Sequence, residues 1–186
     1  MIDAAVPTGR PERRLNVIQG EYLVSNDPDV FLTTVLGSCV AVCLRDPDRG
    51  VGGMNHFLLP DGGGEAGEDA RRYGVHAMEL LINALLHQGA QRQRLEAKLF
   101  GGARMFDGLS DVGAANAAFA ERFLKDEGIN VLSSSLGGGG ARRLKYWPVS
   151  GRAQLKVVND QAELVRIRVA RPAPLPAAAS GDLELF

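Results

Sequence analysis

Helical periodicity is confined to two stretches of this chain, and short apolar runs of strand character surround both. Strands in series, rather than in alternation with helices, are the strongest limit on what the chain can fold into. In residues 70–87, Met78, Leu81, Ile82, Leu85 and Leu86 recur at helical spacing, and Gly89 follows in the position where helices stop. Residues 112–127 place Phe119, Phe123 and Leu124 on one side, with Ser110 or Asp111 able to cap the start and Gly128 at the end. Residues 16–25, 30–36, 40–44 and 51–59 are instead rich in β-branched and apolar types, between turn signals at Gly37, Asp46, Pro47 and Pro60. Residues 95–100, 129–134, 143–147, 154–158 and 163–169 read as further strands. The pattern predicts an α+β fold, one domain of mainly antiparallel or mixed β-sheets with two principal helices.

The ends do not join this pattern. Residues 1–14 combine Pro7, Gly9 and Pro11 with Arg10, Arg13 and Arg14 and read as a disordered lead-in, while residues 172–186, with Pro172, Pro174 and Pro176, read as a flexible tail. The folded domain is therefore expected over 15–171, with a loop at 61–69 built on Gly62, Gly63, Gly64 and Gly67. The 21 Lys and Arg against 22 Asp and Glu leave a net charge of −1, which gives no general pull toward nucleic acid. No apolar run approaches the roughly 18 residues of a membrane-spanning helix, and residues 1–14 lack a secretory apolar core. No membrane insertion and a cytoplasmic location are expected. The 2 cysteines of the chain are too few for a disulfide framework, which leaves open what each does.

The sharpest local signal is Gly37, Ser38 and Cys39 ahead of the apolar run that contains Cys43. A glycine and a small hydroxyl residue before a cysteine describe a tight turn that can present a thiol at a strand edge near free backbone amides. Cys43, flanked by Val42 and Leu44, reads as a packing residue, since free cysteines are commonly small core hydrophobes. A nucleophilic Cys39 requires a base. His76 and His87 fall in the predicted helix, whereas His56 lies in the run Gly52, Gly53, Met54, Asn55, His56, a strand that the turn chemistry makes a neighbour of the one after Cys39. A cysteine-histidine hydrolase and two core residues are both compatible with this pair. Zinc is the competing use of Cys39, Cys43 and His56, but the spacing fits no familiar ligand pattern and lacks a fourth ligand, so no metal and no cofactor is expected. Gly137 to Gly140 are not followed by the Lys and Ser or Thr of a phosphate loop and read as a turn.

These motifs, taken together, resemble the CheD family, the chemoreceptor glutamine deamidases of bacterial chemotaxis. The resemblance runs through Thr33, Leu36 to Val40, Gly52 to His56, Leu58 to Pro60, Tyr73, Ala97 to Ala103, Gly113, Asn116 and the glycines before Arg142 and Arg143. It implies Cys39 as nucleophile, His56 as base and Thr33 as the third member of the triad, with Gly37, Ser38, Gly101 and Gly102 as candidates for the substrate and oxyanion site. It implies hydrolysis of receptor glutamine side chains to glutamate and ammonia through a thioester, with glutamate methyl ester cleavage as an added possibility of the same chemistry. A fold related to the cysteine-dependent deamidase toxins, methyl-accepting chemotaxis receptors as substrates and a CheC-type phosphatase as a partner in some bacteria follow from the same resemblance. The non-enzymatic alternative is an adaptor that binds receptors or such a phosphatase, with residues 182–186 as a docking peptide or a frayed end.

Overall fold

The computed structural model describes residues 11–60, 65–105 and 111–158 of the 186. The strand expected over 163–169, the tail, most of the lead-in and positions 61–64 of the expected loop lie outside the described residues. Nine strands and two helices follow in chain order among them: β1 (Arg13–Asn16), β2 (Tyr22–Ser25), β3 (Val30–Leu36), β4 (Val40–Asp46), β5 (Val51–Phe57), α1 (Glu65–His87), β6 (Glu96–Gly101), α2 (Val112–Asp126), β7 (Asn130–Leu136), β8 (Arg142–Tyr146) and β9 (Ala153–Val157). The fold is α+β, as the serial strands predict.

The strands form two sheets. One has the order β1-β3-β8-β9 and the other β2-β5-β4-β6-β7. Both are mixed, because β1 runs parallel to β3 and β6 parallel to β7 while the remaining pairs are antiparallel. Alternation along β4 explains how the layers stack. Val40, Val42 and Leu44 face one way and pack with Leu81, Ile82 and Leu85 of α1 and Phe119, Phe123 and Leu124 of α2. Cys39, Ala41 and Cys43 face the other way, into a second core with Val30, Leu32 and Leu36 of β3 and Leu144 and Tyr146 of β8. The central strand is thus buried on both sides, giving three layers of helices, five-stranded sheet and four-stranded sheet. The candidate chemistry lies between the two sheets.

Several boundaries differ from the sequence reading, each for a physical reason. Residues 16–25 are not one strand: β1 and β2 belong to different sheets, joined through a turn in which Glu21 N donates to Ile18 O. β1 begins at Arg13, inside the expected lead-in, because it pairs with β3 and is anchored by an Arg13–Asp27 ion pair; all four of its residues are exposed, so no apolar alternation marks it. α1 begins at Glu65, inside the expected loop, since acidic residues that look like loop composition are also favourable in the first turns of a helix.

Candidate active site

β4 and β5 pair antiparallel with Ala41 opposite His56, so Cys39, two residues before Ala41, is the diagonal neighbour of His56 on the same face. The result is a contact: His56 Nε2 lies 2.9 Å from Cys39 Sγ. The main chain of His56 is pinned by the β1–β2 turn, with its carbonyl accepting from Gly20 N and its amide donating to Glu21 O. Cys39 and His56 are each only 6% exposed.

The other imidazole nitrogen faces β3. Thr34 Oγ1 is 2.8 Å from His56 Nδ1, and the carbonyl of Val17 is 3.4 Å from the same atom. A carbonyl can only accept, so these neighbours favour the tautomer with hydrogen on Nδ1, which leaves Nε2 free to accept the Cys39 proton. Thr33 lies elsewhere. Its hydroxyl donates to Leu144 O at 2.7 Å, and its carbonyl accepts from Val17 N. The strand period of two accounts for the difference: Thr34 shares parity with Val30, Leu32 and Leu36, which face the inter-sheet core, and Thr33 points to the opposite side of β3. The structure therefore brings Cys39, His56 and Thr34 together and keeps the Thr33 hydroxyl away from the ring.

Burial sets the protonation states. It raises the Cys39 thiol from 9.0 to about 11, against an opposing pull from the backbone amides of Gly37 and Cys39 on the sulfur. It lowers His56 from 6.5 to about 4, with the Val17 carbonyl acting in the other direction. Near neutral pH the pair is a thiol hydrogen-bonded to a neutral imidazole, not a thiolate beside an imidazolium. The amides of Gly37 and Cys39 face the sulfur from the turn that precedes β4.

The remaining predicted residues frame the thiol turn. Gly37 accepts from Ala103 N through its carbonyl, and the Ser38 carbonyl accepts from Asn116 Nδ2. Gly102 N donates to the Cys39 carbonyl at 2.8 Å, so that amide is committed to the Cys39 backbone. Gly101 has φ +114, and a Cβ there would lie 2.2 Å from the Cys39 carbonyl oxygen; only glycine allows this approach. A groove of about 820 Å3 beside this turn is lined by Gly102, Arg104, Met105, Ala117, Leu136 and Gly138 among others. Cys43 is fully buried, and among the described residues no group of His, Cys, Asp and Glu is arranged to hold a metal ion.

A two-sheet α+β domain with a buried thiol–imidazole contact is the class that fold and site define. A family model described as CheD chemotactic sensory transduction matches residues 58–157, more than half of the chain. A protein of Caulobacter vibrioides (strain NA1000 / CB15N) is 61% identical over 179 residues, covering 95% of this chain and 96% of its own. One of Caulobacter sp. (strain K31) is 62% identical over 177 residues, with 95% and 94% covered. One of Agrobacterium fabrum (strain C58 / ATCC 33970) is 57% identical over 175 residues, with 94% and 97% covered. Each of the three carries the name "Probable chemoreceptor glutamine deamidase CheD". The chain belongs to the CheD family.

Proposed function

We propose that this protein is a chemoreceptor glutamine deamidase, converting glutamine side chains of methyl-accepting receptors to glutamate with Cys39 as nucleophile. The single observation that carries this reading is the 2.9 Å contact between Cys39 Sγ and His56 Nε2, in a chain whose relatives bear that name over nearly their whole length. Sγ attacks the carboxamide carbon as its proton passes to His56 Nε2, and the carbonyl oxygen takes up the negative charge facing the amides of Gly37 and Cys39. Collapse of this intermediate breaks the C–N bond, and His56 returns the proton to the departing nitrogen, releasing ammonia and leaving a thioester. Water then attacks the thioester, His56 takes its proton and delivers it to Sγ, and glutamate is released.

In this scheme Thr34 orients the imidazole through Nδ1, the role the third member has in other triads. Thr33 acts at one remove, by gripping Val17, whose carbonyl also faces Nδ1. The same thioester route accepts a glutamate methyl ester, with methanol as the leaving group. A cytoplasmic site of action fits the exposed receptor helices that the substrate requires; among the described residues no helix is long and apolar enough to cross a membrane. A CheC-type phosphatase is proposed as a binding partner on the family resemblance, tested by co-elution of the two purified chains. The enzymatic reading is tested by ammonia release from a purified receptor fragment. Wild type should release it and Cys39→Ala should not, whereas receptor binding without release would favour an adaptor.

A further inference from the structure

Asn116 of α2 is fully buried and bridges two segments that the sequence keeps far apart. Its Oδ1 accepts from Leu59 N at 2.8 Å, three residues past His56, and its Nδ2 donates to the Ser38 carbonyl at 2.9 Å. One helical turn earlier, Gly113 seats α2 against the segment after β6, where a Cβ would lie 2.5 Å from the Ala103 carbonyl. The neighbouring Gly102 amide grips the Cys39 carbonyl. Both carbonyls that flank the Cys39 Cα are therefore held, Ser38 O by a side chain and Cys39 O by a backbone amide.

Peptide planarity gives the first grip a chemical consequence. The carbonyl of Ser38 and the N–H of Cys39 belong to one trans peptide unit and point in opposite directions, so fixing the oxygen fixes where the N–H aims. That N–H faces Sγ, one bond from the carbon under attack.

We propose that Asn116 is a positioning residue that aims the Cys39 backbone amide at the oxyanion, so that it governs formation of the acyl-enzyme more strongly than it governs the reactivity of the thiol. The inference rests on the reading of Cys39 as an acyl-accepting nucleophile. Asn116→Asp retains an acceptor for Leu59 N but has no N–H for Ser38 O, and sets a carboxylate oxygen against that carbonyl. Asn116→Ala removes both bonds.

The test compares two reactions of the same sulfur. Alkylation by iodoacetamide displaces iodide and forms no oxyanion, whereas acetylation by p-nitrophenyl acetate passes through a tetrahedral oxyanion. On the full chain with Cys43→Ala and at one pH, Asn116→Asp should lower the acetylation rate of Cys39 about 10- to 100-fold more than it lowers alkylation, the range below that for complete loss of an oxyanion donor. With the receptor fragment, kcat should fall by a similar factor with KM unchanged. A parallel fall of alkylation and acetylation in both folded variants, or no fall in either, overturns the inference. If Asn116→Ala fails to fold by circular dichroism, the Asp variant carries the test. Because acetylation uses no receptor, absence of deamidation in wild type would defeat the proposed function while the ratio of the two rates still decides on Asn116.

Discussion

A buried neutral pair makes an unusual demand on the reactivity of the thiol. Burial holds the Cys39 thiol at about 11 rather than 9.0, two units that correspond to about 100-fold less thiolate at any pH well below both values. Iodoacetamide reacts with thiolate, so in a Cys43→Ala background the Cys39 alkylation rate should rise about tenfold per pH unit from pH 6 to about pH 10 and level off near 11. His56 does not alter this slope above pH 6, because its own lowered titration, at about 4, is complete there. Stopped aliquots weighed by intact mass spectrometry give the rate at each pH. A plateau reached below pH 8, as a preformed thiolate–imidazolium pair produces, would refute the account of the resting state.

Three substitutions probe the surroundings of the dyad. Thr34→Val, which removes the hydroxyl at His56 Nδ1, should lower kcat about tenfold, while Thr33→Val should leave kcat within about twofold and cost about 1 kcal/mol of stability by removing the buried hydrogen bond to the Leu144 carbonyl; steady-state kinetics and urea unfolding read the two effects, and the reverse ranking would return the role to Thr33. Gly101→Ala should abolish turnover and destabilise by more than about 2 kcal/mol, since a Cβ at φ +114 meets the Cys39 carbonyl at 2.2 Å; normal activity in this variant would contradict the tight approach. His56 is depressed in the folded state from 6.5 to about 4, so its contribution is complete above about pH 6.5 and is lost as pH falls through about 4. Urea unfolding at pH 7 and pH 4 should therefore show wild type losing about 3 kcal/mol more than the non-titrating His56→Gln, and equal losses would show that the ring is not held neutral by the fold.

Much of the fold is legible because its signals are local. The apolar spacing of Met78, Leu81, Ile82 and Leu85 marks α1, and the turn at Asp46 and Pro47 makes β4 and β5 neighbours, which is what brings His56 to Cys39. The order of strands within each sheet is not local: β1 and β2 are separated by a few residues yet lie in different sheets, set by long-range pairing with β3 and β5. Thr34 carries a signal that parity could have revealed, since it falls in step with Val30, Leu32 and Leu36, but only once the inward face of β3 is known. Asn116 falls within the motifs of the family resemblance, but nothing local assigns it a role. A polar residue on a helix reads as solvent-facing until the helix is seen to bring it beside Ser38 and Leu59. The protonation of the dyad was equally out of reach, because it depends on burial between two sheets and not on residue type.

The central claim, that Cys39 deamidates receptor glutamines by hydrolysis, is tested most directly by peptide-resolved mass spectrometry of a receptor fragment incubated in 18O-labelled water. The account predicts glutamine-to-glutamate conversion at discrete positions with one 18O incorporated per site by wild type and none by Cys39→Ala. Equal conversion by the Cys39→Ala protein, or no conversion by a folded wild type, would contradict it.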